Sequence, residues 1–192
     1  MNRSPNDRQA LMAPFSGQSP AGLEYSACHE AGHAVVRMIN GEEILSVDAC
    51  ARATCFRGKD WQCSCGGHLK TEPDCRFTYN FNPDCDTCTA YVTSLVGANY
   101  SGDAATAGLM PDQHKLLHAG HDLIAAEEFA SPYSNDRIKW HEIERAAERW
   151  ANELVVRESK AILELRDALV RAGGWLDGPD AQRIISANLT RG

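Results

Sequence analysis

Apolar side chains recur at spacings of three and four residues along most of the chain, which is the pattern of helices with one buried face. The first stretch, Leu23–Ile39, is followed by Gly41, a residue typical of the end of a helix. By the same spacing we predict five helices, over residues 23–39, 82–107, 111–131 and 135–172 and from Gly178 onward. The chain is therefore expected to be mainly helical.

Residues 43–81 have a different pattern, with short apolar stretches separated by glycine and proline, which predicts a small sheet. Residues 1–20 contain three prolines and no periodic pattern, so we expect a flexible leader there. The predicted fold class is α+β and mainly helical. We expect one domain over residues 21–192, in which the first helix packs on the small sheet and a helical bundle follows.

Composition narrows the function classes. The chain has 19 Lys and Arg against 26 Asp and Glu, and this net charge of −7 disfavours a general nucleic-acid-binding role. No apolar run has the 18 or more residues that a membrane span needs, and the first 20 residues do not resemble a secretory signal. We therefore expect a cytoplasmic protein that binds neither nucleic acid nor membrane, with its oligomeric state left open.

The most informative motif is His29-Glu30-Ala31-Gly32-His33, an H-E-x-x-H sequence within the first predicted helix. Residues four apart share one face of a helix, so His29 and His33 can bind the same Zn²⁺. Glu30 is then the candidate catalytic base, placed to take a proton from the attacking water. Gly32 lowers helix propensity, which suggests that another backbone packs closely beside the motif.

A catalytic zinc needs a third protein ligand, and the third predicted helix offers several. These candidates lie at helical spacing on one side of it: His114, His118, His121 and Asp122. Spacing alone leaves the choice open among His118, His121 and Asp122.

The stretch from His29 to Ala34, His-Glu-Ala-Gly-His-Ala, resembles the zinc signature in the peptidase domain of FtsH-type AAA+ proteases. That family takes its third ligand from an Asp in a stretch similar to Asp122-Leu123-x-x-Ala126-x-x-x-Ala130, so the resemblance implies that Asp122 binds the metal. Leu95-Val96-Gly97 is similar to a further family motif. The resemblance covers about residues 22–188.

The chain also departs from that family. It lacks the Ala-Glu pair after Leu95-Val96-Gly97, and it contains neither an ATPase module nor membrane spans. We therefore expect hydrolysis of peptide bonds without ATP on this chain. The expected substrates are flexible protein segments, peptides, or proteins presented by a separate unfoldase or adaptor. A sheet edge within residues 43–56 is the candidate surface for pairing with an extended substrate.

Seven of the eight cysteines lie between residues 50 and 88. Two pairs within this segment are candidate ligands of a second, structural Zn²⁺: Cys63, Cys65, Cys85 and Cys88. Free thiols and disulfides are the alternatives, and His68 is a candidate substitute ligand. Cys28 points away from the zinc face of its helix and is expected to be a small buried residue.

The sequence thus predicts a zinc metalloendopeptidase. Two alternatives remain: a non-catalytic, zinc-stabilised interaction module that retains a peptidase scaffold, and a processing protease dedicated to one regulatory protein.

Overall fold

A computed structural model describes residues 20–66, 68–71, 77–80, 84–117 and 137–190. The helices in these ranges are α1 (Pro20–Ile39), α2 (Asp86–Leu109), α3 (Pro111–Leu117), α4 (Arg137–Arg157), α5 (Ser159–Arg171) and α6 (Gly178–Asn188). The strands are β1 (Glu43–Asp48), β2 (Ala53–Arg57), β3 (Asp60–Gln62), β4 (His68–Thr71), β5 (Phe77–Asn80) and β6 (Trp175–Asp177). The architecture is mainly helical with small antiparallel sheets, as the sequence predicts.

The strands form two separate sheets rather than the single layer expected over residues 43–81. The first has the order β2-β1-β6 and the second the order β3-β4-β5, with every pairing antiparallel. In the first sheet Val47 lies opposite Thr54 on one side and Leu176 on the other. Strand β6 was not predicted, because three residues are too few to show an alternating pattern.

Helix α1 packs between α2 and α5. Its buried face consists mostly of small side chains, which allow the neighbouring helices to approach closely: Ala27, Cys28, Ala31, Ala34 and Val35. The approach is tightest at Gly32, where a Cβ atom would lie 2.5 Å from the carbonyl oxygen of Ser101 on α2. The close backbone contact expected from Gly32 is therefore confirmed.

The single helix predicted over residues 135–172 is wrong, because the structure contains two helices that meet at Glu158. The Glu158 carboxylate is buried and accepts hydrogen bonds from the Thr190 backbone N–H and from Arg157 Nε, at 2.8 and 2.7 Å. The break lets α4 pack against α2 while α5 packs against α1. Apolar residues recur on both sides of it, so the sequence pattern does not reveal it.

Three predicted helix ends are observed. Helix α1 ends at Ile39 before a turn at Gly41, and Gly173 follows α5. Helix α6 begins after Asp177, whose carboxylate accepts a hydrogen bond from the Asp180 N–H. By contrast, α2 begins at Asp86, later than predicted, with Cys85 as its N-cap.

None of the helices in the described ranges combines the length and the apolar character that a membrane crossing requires. The leader expected at residues 1–20 lies outside the described residues, apart from Pro20.

Candidate functional site

The two histidines of the H-E-x-x-H motif lie one turn apart on α1 and face each other. Their Nε2 atoms are 3.2 Å apart, and their rings meet edge to face with centroids 4.8 Å apart. Two nitrogens bound to one tetrahedral zinc at 2.0–2.1 Å would be separated by about 3.3–3.4 Å. The observed separation therefore suits two ligands of a single ion. We call His29 and His33 the histidine pair.

Helix α2 determines which nitrogen of His33 carries the proton. The Nδ1 atom lies 2.9 Å from the carbonyl oxygen of Ala98. A carbonyl oxygen only accepts hydrogen bonds, so Nδ1 must donate, and the lone pair of the neutral ring then lies on Nε2. This is the nitrogen that faces His29, so the main chain of α2 directs the His33 lone pair toward the midpoint of the histidine pair.

Gly102 on α2 leaves the space that this arrangement needs. A Cβ atom at residue 102 would lie 2.5 Å from His33 Nε2 and 2.8 Å from His29 Nε2. A methyl group would thus occupy the position beside both nitrogens. The sequence analysis missed Gly102, because one glycine among the small residues of a helix gives no separate signal.

Glu30 is held against the first sheet. Its side chain is buried, and its Oε2 accepts a hydrogen bond of 2.8 Å from Thr54 Oγ1 on β2. In the part of the chain that the structure describes, β2 is an edge strand of its sheet. The candidate base therefore lies beside a sheet edge within the expected range of residues 43–56. Thr54 is another residue that the sequence analysis missed.

A buried charged network fixes the other end of α1 against α2. Arg37 donates hydrogen bonds of 2.9 Å to Glu42 and to Asn99, and its guanidinium lies 3.9 Å from the centre of the Phe56 ring. Asn99 directly follows Ala98, and Arg37 lies one helical turn beyond His33. The network thus sets the register in which the carbonyl of Ala98 meets His33. Buried charges that are paired in this way are costly to break.

Helix α3 contacts α1 one turn before His29. His114 Nδ1 lies 3.0 Å from Thr106 Oγ1 and 3.3 Å from Tyr25 Oη, and Tyr25 precedes His29 by four residues. The other three candidate ligands of the third predicted helix, His118, His121 and Asp122, lie outside the described residues. Within the described ranges, no third His, Cys, Asp or Glu joins the histidine pair in a group able to hold one ion.

The structure brings together the four cysteines predicted as a second ligand set. The sulfur atoms of Cys63, Cys65, Cys85 and Cys88 all lie within 4.8 Å of one another, so these residues could bind a metal ion. Two of the sulfur contacts join the two sequence pairs to each other. Cys63 is 3.6 Å from Cys85, and Cys65 is 3.2 Å from Cys88. We call this group the cysteine cluster.

Local structure explains how the cluster forms. Cys63 and Cys65 lie in the turn after β3, which is closed by a hydrogen bond from the Gly66 N–H to the Cys63 carbonyl. Cys85 is the N-cap of α2, and Cys88 lies in its first turn. Trp61 of β3 stacks on Tyr91 of α2, with centroids 4.3 Å apart, and so holds the two segments together.

The cluster favours an ionised sulfur at Cys63. A hydrogen bond from the Cys65 backbone N–H, with further bonds from neighbouring thiols, lowers the Cys63 pKa to about 7. Cys28 is the opposite case, because it is fully buried and burial raises its pKa to about 12. It therefore remains a thiol, as expected of a packing residue.

The remaining cysteines lie outside the cluster. Cys50 and Cys55 are exposed thiols, and Cys75 lies outside the described residues. His68 is in β4.

A scan of protein-family models gives no match to this chain, and no characterised protein matches its sequence.

Proposed function

We propose that the protein is a zinc metalloendopeptidase whose catalytic ion is held by His29, His33 and Asp122. The observation that carries the proposal is the histidine pair, in which two Nε2 atoms 3.2 Å apart lie beside a glycine. An uncharged imidazole nitrogen is a preferred donor to zinc, and the hydrogen bond from His33 Nδ1 to Ala98 is the support that zinc-binding histidines usually have. The residues therefore fit the metal.

The position of α3 supports a third ligand from the segment that follows it. Since the described part of the chain supplies none, the ligand must come from elsewhere. His114 contacts Tyr25, which lies one turn before His29, and Asp122 follows the end of α3 at Leu117 by five residues. The FtsH-like sequence around Asp122 favours this carboxylate over His118 and His121. It also extends the proposal to a zincin-like fold, in which a bundle helix completes the site on α1.

In this mechanism the protein residues bind, orient and move a proton. When bound, zinc would act as a Lewis acid that polarises the scissile carbonyl and lowers the pKa of water. His29 and His33 hold it at a fixed place on α1. Glu30 takes the proton of the attacking water and passes it to the leaving amine. Thr54 fixes one carboxylate oxygen, Oε2, and the second oxygen is the one we expect to take the proton.

The outer edge of β2 supports an extended peptide as the substrate. A peptide that adds to this edge would run past Thr54 and hence past Glu30, and it would gain main-chain hydrogen bonds independent of its sequence. Such binding needs an unfolded segment. Folded substrates would therefore depend on a separate unfoldase or adaptor.

For the cysteine cluster we propose a second, structural Zn²⁺. Four thiolates around one zinc at 2.3 Å would have sulfurs about 3.8 Å apart, and the observed spacings of up to 4.8 Å are close to this. Its ligands come from two segments, so binding would tie the turn after β3 to the start of α2. The seven described cysteines form no disulfides with one another, which supports the cytoplasm as the proposed location.

The alternative function, a non-catalytic module stabilised by zinc, is favoured by the cysteine cluster, because that group is complete within the described residues. The two functions differ at Glu30, which a binding module does not need.

The test is the cleavage of an unfolded protein such as casein by zinc-loaded wild type and by Glu30→Gln. We expect a loss of about 10²- to 10⁴-fold in rate with unchanged zinc content and folding, because Glu30 moves a proton without binding metal. Glu24→Gln, a half-exposed position on the same helix, is the matched control and should cleave like wild type. Equal rates for Glu30→Gln and wild type would contradict the mechanism, whereas the binding module predicts no cleavage by either.

A further inference from the structure

We propose that the cysteine cluster exchanges its metal for two disulfides, Cys63–Cys85 and Cys65–Cys88, when it meets a peroxide. The proposal rests on the metal site proposed above and concerns how that site responds to an oxidant. It thus makes the cluster a modification site, with hydrogen peroxide as the oxidant.

The pairing follows from the distances. Two sulfur contacts, of 3.6 and 3.2 Å, each join one cysteine of the turn after β3 to one cysteine of α2. A disulfide forms when a thiolate attacks a partner sulfur, so neighbouring sulfurs react first. Both bonds would therefore bridge the two segments that the metal bridges.

Exposure determines the order of the reaction. Cys65 is exposed, whereas Cys88 is fully buried with its sulfur 3.2 Å away. Peroxide therefore reaches Cys65 first, and Cys88 is placed to resolve the product. Cys63 and Cys85 are both half-buried, so this pair follows.

The chemistry balances for each pair. The thiolate sulfur of Cys65 attacks one peroxide oxygen, the O–O bond breaks, and the departing hydroxide takes a proton to become water. The Cys88 thiolate then attacks the sulfur of the resulting sulfenic acid, the S–S bond forms, and the hydroxyl group leaves with a proton as a second water. Two sulfurs lose two electrons in total, and one peroxide is reduced. Two peroxides per chain oxidise all four thiolates, and Zn²⁺ leaves without a change in its oxidation state.

The exchange preserves the tie between the turn and α2. Either one ion with four bonds or two covalent bridges joins residues 63–65 to residues 85–88. The zinc-free oxidised chain should therefore remain folded under conditions in which the zinc-free reduced chain loosens. Reduction and added Zn²⁺ should reverse the change.

The experiment uses the full chain, reduced and loaded with Zn²⁺, and titrates it with hydrogen peroxide. Zinc release is followed with a chromogenic chelator, and the cross-links are mapped by mass spectrometry of unreduced digests. We expect one zinc released per chain, the Cys65–Cys88 link at low peroxide and both links at two equivalents. The double variant Cys50→Ser, Cys55→Ser removes exposed thiols outside the cluster and should behave like wild type.

Links within a segment, Cys63–Cys65 or Cys85–Cys88, would overturn the proposal, as would oxidation of the cluster with its zinc retained. The variant Cys65→Ser should form only the Cys63–Cys85 link, and a first link elsewhere in wild type contradicts the order. The same titration in a His29→Ala, His33→Ala background assigns the released ion to the cysteine cluster. If the cysteines bind no Zn²⁺, the proposed exchange is wrong. The peptidase proposal is unaffected by that result, since it is tested at Glu30.

Discussion

The histidine pair and the cysteine cluster both depend on α2, but they are assembled in different ways. The histidines come from one turn of one helix, so local geometry alone places them together. Among the described residues, no third side chain completes a metal-binding group with them. The cysteines come from two segments about 20 residues apart, and tertiary packing brings all four together. A local motif thus supplies part of a site reliably, whereas a site built by packing depends on the fold for every ligand.

The first prediction tests whether a residue outside α1 and α2 is the third zinc ligand beside the histidine pair. It has the largest expected effect. Asp122→Ala should lose zinc affinity and peptidase activity by more than the 10- to 100-fold typical of residues that only support a ligand. His118→Ala and His121→Ala are the comparison variants and should keep the metal. Zinc content and a chelator competition measure this. If Asp122→Ala binds zinc as tightly as wild type and His121→Ala loses zinc, the site has three histidine ligands.

The second prediction tests whether the cysteine cluster is independent of the histidine pair. The double variant Cys85→Ser, Cys88→Ser should lose one equivalent of zinc and keep the other. Its thermal midpoint should fall by roughly 5–15 °C, since binding is coupled to folding and 1 kcal/mol is worth about 2–4 °C in a chain of this size. Zinc analysis and calorimetry measure both effects, with Cys50→Ser, Cys55→Ser as the control. An unchanged zinc content would remove the structural site.

A third prediction concerns the space beside the histidine pair. Gly102→Ala should weaken zinc binding there by about 10- to 100-fold, as for other changes behind a ligand, because its methyl group would displace the imidazoles. Gly108→Ala is the matched control on α2, where a Cβ atom would meet only Val155, at 3.8 Å. Zinc titration in the Cys85→Ser, Cys88→Ser background isolates the site. Equal affinity in the two glycine variants would mean that Gly102 has no such role.

The smallest effect is expected for a substitution at Glu158, which belongs to neither site. Its effect on the pH dependence of folding stability is therefore independent of metal binding. Burial raises its pKa, but the hydrogen bonds from Thr190 and Arg157 outweigh this and hold the pKa below its usual value. The charged form therefore stabilises the fold above about pH 4.5, and this contribution is lost as the pH falls further.

Glu158→Gln should accordingly cost about 1–3 kcal/mol near neutral pH, with the difference from wild type shrinking in acid. Glu153→Gln, an exposed position on α4, is its control. Urea unfolding at several pH values measures the change. If the difference in unfolding free energy between wild type and Glu158→Gln grows as the pH falls, the assigned direction of the Glu158 pKa shift is wrong.

The sequence predicts features that depend on neighbouring residues. The end of α1 follows from Gly41 and the start of α6 from Gly178-Pro179-Asp180, and the shared face of His29 and His33 follows from their spacing. Contacts between distant segments have no such local signal. The break at Glu158 depends on Thr190, far along the chain, and Thr54 reaches Glu30 only because β2 packs beside α1.

The cysteine cluster is an intermediate case. The close spacing within each pair favours metal ligands, but spacing alone leaves free thiols and disulfides as alternatives. The stacking of Trp61 on Tyr91, which brings the pairs together, joins two aromatic residues 30 positions apart. Neither residue is distinguished from ordinary core residues by its position in the sequence.

The contact between His33 and Ala98 also bears on how the site could change in evolution. The acceptor is a main-chain oxygen, so no single substitution at residue 98 deletes it. While His33 is retained, the contact is lost only if α2 moves relative to α1, and the buried hydrogen bond between Arg37 and Asn99 resists that movement. Because Ala98 is fully buried among apolar residues, substitution at residue 98 is limited by the size and apolar character of the side chain and not by loss of the acceptor. Anyone grafting this motif into another scaffold would need to transfer both helices as one unit.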